Sequence, residues 1–419
     1  MDYTCYLRKI KASLAPSTGC TEPAAIALNA ATARANIPGA ITRVTARLDA
    51  YLFKNAMGGG IPGADERGVS LCVALGITAG DPLAGMNALH TVKPEQLAEA
   101  KLLREMVTVE IAQEAKGLYI ETIIETANDV VRVITCGKHD CIARIEHAPF
   151  TSFTADADDS AEVAHEGSLS EFIEFARNCP LEDLTFLRDA LNMNRVVYYR
   201  AMEEGMAHRV LPNMLLQDGS LYAQAKKMAG TASYARMHGI PLPVMTATGS
   251  GNQGLTLFLT VDAAARTFNV SEERLLRALA CAALANIYIK SFFGPLSSVC
   301  ACGVAAGLAA SIGVVFLMGG GEKEMLQASR NILGTLSGMI CDGAKEGCAA
   351  KVALSAGLAV ESACLAMEGG GIHAQDGILD DSFDRLIEHL GELVCVGMGS
   401  TNDTIVHIMK DEKMRRPNC

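Results

Sequence analysis

The chain has 419 residues, half of them hydrophobic and a fifth charged, which suits roughly two or three domain-sized units and excludes disorder as a whole. Its 36 Lys and Arg residues against 47 Asp and Glu residues give a formal net charge of −11. We therefore expect a small-molecule substrate, and neither a nucleic acid nor a membrane as a partner. The absence of tryptophan and the low aromatic content are also unsuited to a surface that stacks bases.

The N-terminal segment has charged residues among its apolar positions, unlike a secretory signal. We therefore expect a cytoplasmic, reducing location, where metal-binding or catalytic roles gain weight for some of the 14 cysteines. The uncharged stretch between Lys290 and Glu322 is long enough to span a bilayer, but it contains a proline, serines and glycines. It predicts a buried helix preceded by a loop.

Near the N-terminus, helical apolar spacing predicts helices at 3–14 and 23–35, the second with Thr21 as its N-cap. A polar loop at 17–22 is aimed at the start of that second helix. From Ile41 the apolar period changes to two, with helical patterns at 68–79 and 94–104 between the predicted strands. The predicted strands are Ile41–Leu48, Val107–Ile111, Tyr119–Glu125, Val130–Thr135 and Ile142–His147.

Beyond Ser168 nearly every long segment has a helical pattern, and the acidic stretch 151–167 predicts a solvent-exposed linker. We therefore predict an α+β fold class, in which a mostly all-α helical domain carries an inserted smaller α+β domain with a mixed sheet. The helical catalytic domain is expected to comprise residues 1–37 and 151–419, and the inserted domain residues 38–150.

Four cysteines occur in two tight groups, Cys300 with Cys302 and Cys341 with Cys348, at spacings unlike those of a zinc ribbon. Cys300 and Cys302 can face one centre only through an irregular turn. Two helical residues seven apart lie about 10 Å apart along the axis, so we expect Cys341 on a turn and Cys348 on a helix. Three thiolates from scattered loops, with one iron left open, fit an iron–sulfur cluster better than zinc. Four buried thiols in a Gly/Ala-rich core are the alternative.

Cys20 directly precedes a predicted helix N-terminus, within Ser-Thr-Gly-Cys-Thr-Glu-Pro. The helix dipole and free N–H groups are expected to favour its thiolate and to lower its pKa. The glycine before it allows a close approach of backbone. These features make Cys20 a candidate for catalysis.

Two Gly-rich segments are further candidates. The run at 249–254 offers backbone N–H groups and short side-chain donors suited to a carboxylate or a phosphate, although a mobile turn is equally compatible with it. The segment 51–63 lacks the context of a dinucleotide fingerprint or a P-loop, and its Lys54 is either a partner for a substrate carboxylate or a solvent-exposed loop residue. The nine histidines are scattered and form no recognisable metal or catalytic motif.

Together these residues resemble the L-cysteine desulfidase family, a relative of the iron–sulfur L-serine dehydratase alpha chain. The resemblance runs from Cys20 to Asn402-Asp403, nearly the whole chain. The motifs that carry it are Gly19-Cys20-Thr21-Glu22-Pro23, Lys54-Asn55 with Gly58–Gly63, Ser250-Gly251-Asn252-Gln253-Gly254, Ile289-Lys290, Cys300-Ala301-Cys302-Gly303 and Cys341-Asp342-Gly343-Ala344-Lys345. It implies a [4Fe–4S] lyase that cleaves L-cysteine to pyruvate, ammonia and hydrogen sulfide without pyridoxal phosphate.

The resemblance also implies roles for single residues. Cys341 and Cys348 match paired cluster ligands, and Cys20 matches a thiolate base. The third ligand falls at Cys300 or Cys302, with Cys300 slightly favoured. Ala301 stands where the family usually has glycine, which leaves the backbone turn at this motif open. On this hypothesis the open iron binds the leaving sulfur or the carboxylate, and Cys20 removes the α-proton. The expected substrate-binding residues are Ser17, Thr18, Lys54, Asn55, Ser250, Asn252, Gln253 and Lys290.

The C-terminal residue, Cys419, lies on a polar tail. In the related dehydratases a C-terminal cysteine can occupy the open iron, so a second hypothesis is that Cys419 caps the cluster until substrate displaces it. Other activities stay open: an L-serine dehydratase with the same cluster, a pyridoxal-phosphate lyase suggested by the Ser-Gly-Asn-Gln-Gly run, and a non-enzymatic helical protein. Homo-oligomerisation is also left open.

Overall fold

The computed structural model describes residues 3–64, 66–115, 117–153, 165–294 and 297–415, without the side chains of 410–415. The fold is α+β and mostly helical, as predicted. The α-helices are α1 (Tyr3–Ser13), α2 (Thr21–Ala35), α3 (Ala50–Ala56), α4 (Val69–Ala79), α5 (Pro94–Leu103), α6 (Leu169–Asn178), α7 (Phe186–Glu203), α8 (Asn213–Gln217), α9 (Leu221–His238), α10 (Gly251–Thr267), α11 (Glu272–Ser291), α12 (Val304–Met318), α13 (Glu322–Leu336), α14 (Cys348–Met367), α15 (Phe383–Glu392) and α16 (Thr401–Arg415). The strands are β1 (Pro16–Thr18), β2 (Ile41–Leu48), β3 (Val107–Ile111), β4 (Tyr119–Thr126), β5 (Val130–Cys136), β6 (Ile142–His147) and β7 (Pro243–Met245).

Strands β2 to β6 form one mixed sheet in the order β3-β2-β4-β5-β6, and only the β2–β3 pair is parallel. A parallel pair needs a long crossover connection, and the chain between β2 and β3 contains α3, α4 and α5. All five strands were predicted, because each keeps an apolar period of two over five residues or more. The mixed sheet of the predicted α+β class is therefore present.

Helix α2 packs against this sheet and against α4, with a run of small and aliphatic residues in the shared core. Asn29 lies fully buried at this interface. Its Nδ2 donates to the carbonyl oxygens of Ile120 and Val133 and to Thr135 Oγ1, at 2.9–3.4 Å. These bonds fix the position of α2. Cys20, which directly precedes α2, is thus held at the border between the sheet and the helical part. The domain boundaries at 37/38 and 150/151 stay a prediction, and most of the predicted linker, residues 154–164, lies outside the described residues.

The second core consists of helices, with α9, α10, α11, α12, α13 and α14 packed on one another. Every residue of α12 from Val304 to Leu317 is buried, so the uncharged stretch contains the predicted interior helix. Helix α14 is also long and apolar enough to cross a bilayer by length and composition, but 61% of its apolar window is buried inside the protein. Gly230 of α9 lies against Ala353 of α14, where an added Cβ would come within 2.7 Å of the alanine Cβ. Small residues therefore explain how closely these helices pack.

One short strand departs from the predicted all-helical C-terminal part. β7 pairs antiparallel with β1, with Ser17 opposite Val244. Three residues are too few for a period of two to be recognised, which is why the sequence did not reveal either strand. The pair matters for the site because β1 leads directly into α2.

Candidate active site

The turn between β1 and α2 positions Cys20. Gly19 has a φ of +75°, and a Cβ added there would lie 2.7 Å from Pro62 Cγ, so the turn requires glycine. Cys20 is the N-cap of α2, in place of the predicted Thr21, which is the first helical residue. The Cys20 side chain is 2% exposed, and its Sγ donates to Glu22 Oε2 at 3.2 Å.

The expected low pKa of Cys20 is wrong. Burial raises its pKa well above the ordinary value and the Glu22 carboxylate raises it further, although the Arg236 guanidinium lowers it. A buried thiolate loses its hydration, and this loss outweighs the favourable helix N-terminus. The thiol of Cys20 therefore keeps its proton at neutral pH in this state.

Helix α3 carries Lys54 and Asn55, which the sequence analysis placed in a loop. Lys54 is 1% exposed, so the alternative of a solvent-exposed lysine is wrong. Its Nζ donates to the Cys341 carbonyl oxygen at 2.7 Å and to Asn402 Oδ1 at 2.6 Å, and burial lowers its pKa. Asn55 Nδ2 donates to Glu22 Oε1 at 3.1 Å. The two residues thereby connect α3 to α2, to α16 and to the loop before α14.

Two glycines allow these segments to approach. A Cβ added to Gly59 would lie 3.1 Å from Cys20 Sγ. Gly343 has a φ of +95°, and a Cβ there would lie 2.4 Å from the Lys54 carbonyl oxygen. Only glycine fits such a position without moving the neighbouring backbone. The Gly-rich segment after α3 therefore packs against Cys20.

Backbone pairing brings the two cysteine groups side by side. The N–H of Cys300 donates to the Met339 carbonyl at 2.8 Å, and the N–H of Cys341 donates to the Ser298 carbonyl at 2.7 Å. A turn after Cys300 places the Sγ atoms of Cys300 and Cys302 3.4 Å apart, the irregular turn that their spacing required. In the described residues only two non-glycine residues have a positive φ, and Ala301 is not one of them. Alanine therefore fits the turn without strain.

Cys341 lies in the loop before α14, and Cys348 is the first residue of that helix, as the spacing predicts. Cys348 shares a small buried cluster with Cys20 and Met237. The structure thus brings the N-terminal thiol of Cys20 beside the first thiol of α14. The roles of these cysteines stay predictions.

The thiols perturb one another electrostatically. The hydrogen bond from Cys302 and the positive charge of Lys351 lower the pKa of Cys300 to about 7, against the effect of burial. The hydrogen bond to Cys300 and burial raise the pKa of Cys302 well above its ordinary value. Burial, together with the charge on Cys300, raises the pKa of Cys348 to about 11, and the same two causes raise that of Cys341. A single thiolate is therefore favoured in this group, and Lys351 faces it.

The cysteine thiols of this group can be compared with the ligands that different metal sites require. In the described residues no three His, Cys, Asp or Glu side chains are arranged to hold a metal ion. Iron–sulfur clusters take cysteine thiolates, and they distribute their ligands over several irons, whereas a mononuclear site draws all of its ligands to one ion. The chemistry of this all-thiol group therefore fits a cluster.

The run at 249–254 is not a free loop. Ser250 is the N-cap of α10, and its Oγ accepts from the Gln253 N–H, so Asn252 and Gln253 lie in the first helical turn. Gln253 Oε1 accepts from Thr248 Oγ1 at 2.9 Å, and Thr248 has a φ of +47°. A β-branched residue in this region is strained, which indicates that surrounding contacts hold the turn.

Four further residues at the site were given no role in the sequence analysis: Glu22, Arg236, Lys351 and Asn402. Arg236 of α9 is 3% exposed; it donates to Asn252 Oδ1 and to Thr21 Oγ1, both at 3.3 Å. No local signal could identify Arg236, because it lies in an ordinary helical pattern and reaches the site only through packing. Glu22 was visible in its motif, but its contact with Cys20 was not.

The remaining predicted residues lie around this group. Ser17 is buried, and its Oγ has no hydrogen-bond partner in the described residues. Thr18 Oγ1 donates to Asn87 Oδ1 at 3.0 Å. Lys290, at the end of α11, donates to the Gly294 carbonyl, and burial lowers its pKa to about 8 while the charges of Cys395 and Cys341 oppose this shift. Cys419 lies outside the described residues.

Comparison with known proteins gives a family. The model of the serine dehydratase alpha chain family matches residues 84–407, a range that contains both cysteine groups but not Cys20 or Lys54. UPF0597 proteins are similar over nearly their whole length: the one from Aeromonas hydrophila is 34% identical over 97% of this chain and 96% of its own. The proteins from Oleidesulfovibrio alaskensis and Clostridium botulinum are 36% and 33% identical, each over 98% of this chain and 99% of its own. This chain therefore belongs to the serine dehydratase alpha chain family, with UPF0597 proteins among its full-length relatives.

Proposed function

We propose that the protein is a [4Fe–4S]-dependent L-cysteine desulfidase, a cytoplasmic carbon–sulfur lyase that forms pyruvate, ammonia and hydrogen sulfide. Its family is linked in general to iron–sulfur clusters, and the family relation suggests a lyase. The observation that carries the proposal is the buried contact cluster of Cys20 with Cys348. A proton-abstracting thiol and a cluster ligand belong next to each other in such an enzyme.

Cys300, Cys341 and Cys348 would hold the cluster, with Cys302 as the alternative to Cys300. The segments of Cys300 and Cys341 are paired, because the N–H of each of these two cysteines donates to a carbonyl of the other segment. This pairing favours Cys300 over Cys302 as the third ligand. When bound, the cluster would supply a Lewis acid that withdraws electrons from the group it holds.

The protein's own residues account for the proton transfer. Glu22 accepts the hydrogen bond from the Cys20 thiol and is itself oriented by Asn55, so it is placed to take the thiol proton. The thiolate then takes the α-proton, and the electrons of the C–H bond form a C=C bond as hydrosulfide leaves. The product, 2-aminoacrylate, becomes its imine and is hydrolysed by water to pyruvate and ammonia. The burial of Cys20 keeps water from the carbanionic stage.

L-serine dehydratase is the second candidate, because the matching family model is that of the serine dehydratase alpha chain. The same residues would act, and hydroxide would leave in place of hydrosulfide. The two candidates differ in the leaving group alone, so a direct comparison of substrates separates them.

The test uses protein prepared without oxygen, with iron and acid-labile sulfide measured on the sample used for the assay. Pyruvate is followed with L-cysteine and with L-serine, and hydrogen sulfide is followed with L-cysteine. We expect iron and sulfide to be present and kcat/KM to be higher for L-cysteine. Higher kcat/KM for L-serine would replace the proposal by the second candidate. Iron-free protein, or iron-loaded protein that converts neither amino acid, would overturn both.

A further inference from the structure

Arg236 is a buried cation that has no acidic partner in the part of the chain that the structure describes. Its side chain is 3% exposed, and no Asp or Glu of the described residues lies within ion-pair distance of it. Arg195, in the same helical core, instead forms a bidentate ion pair with the buried Asp262 at 2.9 and 2.5 Å. Glu22, the acidic residue beside Cys20, is bonded to Cys20 and Asn55.

The hydrogen bonds of Arg236 do not replace such a partner. A guanidinium has five N–H donors, and the two contacts of Arg236 go to neutral oxygens at 3.3 Å, beyond the usual range of about 2.7–3.2 Å. Its Nε is buried and has no hydrogen-bond partner in the described part of the chain. Burying a charge costs free energy unless an opposite charge and good hydrogen bonds compensate it. The guanidinium of Arg236 therefore carries a charge and hydrogen-bonding capacity that its contacts among the described residues do not satisfy.

The surroundings of Arg236 favour an anion as well. Its two contacts reach the first residue of α2, Thr21, and the second residue of α10, Asn252. Two helix N-termini, with their free N–H groups and positive dipole ends, therefore converge on one guanidinium. Thr21 follows Cys20 directly, so the anion-binding groups lie next to the proposed base.

Gly251 makes this approach possible. A Cβ added to Gly251 would lie 2.3 Å from Arg236 Nε and 2.5 Å from Cζ. Any side chain at this position would push the guanidinium away from α10. The start of α10 is thus shaped around the charge of Arg236.

We propose that Arg236, together with the first turns of α2 and α10, binds the α-carboxylate of the amino-acid substrate. This inference rests on the proposed function, since it names the group that orients the substrate toward Cys20. A planar guanidinium suits a carboxylate better than a lysine ammonium does. Lys54, by contrast, already donates to Cys341 and Asn402. The enzyme should accordingly require a free α-carboxylate.

The test measures binding by calorimetry to the cluster-loaded protein under anaerobic conditions. L-alanine has the amino and carboxylate groups but no leaving group, and L-alaninamide lacks the carboxylate charge. We expect L-alanine to bind roughly 10- to 100-fold more tightly than L-alaninamide. Arg236→Met should remove this preference by weakening L-alanine alone, and Arg236→Lys should retain part of it. Arg277→Met is the control for removing an arginine away from the site, because Arg277 pairs with Glu273 at 2.9 Å and donates to the carbonyls of Ala176 and Cys179.

Equal binding of the two probes to the wild-type protein, or an unchanged preference in Arg236→Met, would overturn the inference. If Arg236→Met does not fold, Gly251→Ala and Arg236→Lys are decisive: both should weaken L-alanine binding, and intact binding in both would count against the site. The proposed function can fail separately. Protein that prefers L-alanine through Arg236 but converts neither L-cysteine nor L-serine keeps the carboxylate site and loses the lyase.

Discussion

Glu22 joins two candidate residues of the active site. It accepts from the Cys20 thiol through one carboxylate oxygen and from the Asn55 amide through the other. A carboxylate held at both oxygens has a fixed orientation, which favours transfer of the thiol proton along one direction. At the scale of single residues, the site therefore contains a thiol and a carboxylate in hydrogen-bond contact.

Replacing either member of this pair should separate turnover from cluster binding. We expect Cys20→Ala to lower kcat roughly 100-fold or more, and Glu22→Gln to lower kcat by a smaller factor with little change in KM. Iron content should stay at the wild-type level in both variants, because neither residue is a proposed ligand. Cys20→Ala protein that kept its iron and its full kcat would remove the base assignment.

His139 provides a pH prediction. Burial lowers the pKa of His139 below its ordinary value of 6.5, although Glu22 and Asp140 oppose the shift. Between the lowered folded pKa and about 6.5, the unfolded chain binds a proton that the folded protein does not. The contribution of His139 to stability is therefore complete above about pH 6.5 and is lost as the pH falls through its folded pKa.

We expect the free energy of unfolding in urea to fall less steeply in His139→Gln than in the wild type between about pH 7.5 and pH 5.5. The slope of the free energy of unfolding against urea concentration is compared between the two proteins, because a different slope would indicate a change in compactness. Identical pH dependence in both proteins would show that the ring of His139 is not kept neutral by folding.

At the scale of elements, the seven-residue helix α3 is too short to be stable by itself, yet it carries Lys54 and Asn55. Asp49 links the start of α3 to strand β4. Its carboxylate accepts from the N–H groups of Tyr51 and Leu52 in α3 and from that of Tyr119 in β4, each at 2.9 Å. A buried carboxylate therefore couples the start of the helix to the sheet.

Asp49→Ala should reduce the free energy of unfolding by about 2 kcal/mol or more, because it leaves buried N–H donors without acceptors. Asp81→Ala is the matched control: Asp81 caps the exposed 3-10 helix Pro82–Asn87 through a single N–H, that of Leu83. We expect its loss to stay below about 1 kcal/mol. Equal losses in urea unfolding would mean that the buried cap has no special role.

At the scale of the whole molecule, the proposed cluster ligands come from two segments that only the folded chain joins. We expect Cys300→Ser, Cys341→Ser and Cys348→Ser to lose most of their iron, and Cys302→Ser to retain it. Cys72→Ser and Cys281→Ser are matched controls, since both thiols are buried, one in the sheet core and one in the helical core. Iron and acid-labile sulfide are measured after anaerobic purification. Iron loss in Cys302→Ser with retention in Cys300→Ser would exchange their assignments.

Much of the local structure could be predicted, because apolar periodicity is a property of neighbouring residues. Val107–Ile111 and Ile142–His147 have their predicted bounds, and Cys348 lies on a helix as predicted, with Cys341 in the loop before it. The three-residue strand β7 and the helical setting of Lys54 could not be predicted, because short elements are stabilised by partners distant in the chain.

The sequence by itself determined the fold class and the chemical types of the site: thiols, a lysine and a Gly-rich polar run. Only the tertiary structure decided that Cys20 lies beside Cys348, that its thiol keeps its proton, and that Arg236 has no acidic partner among the described residues. Proximity across hundreds of residues, desolvation and charge pairing all depend on which segments pack together. No local sequence pattern contains these contacts and charge interactions, yet they define the candidate active site.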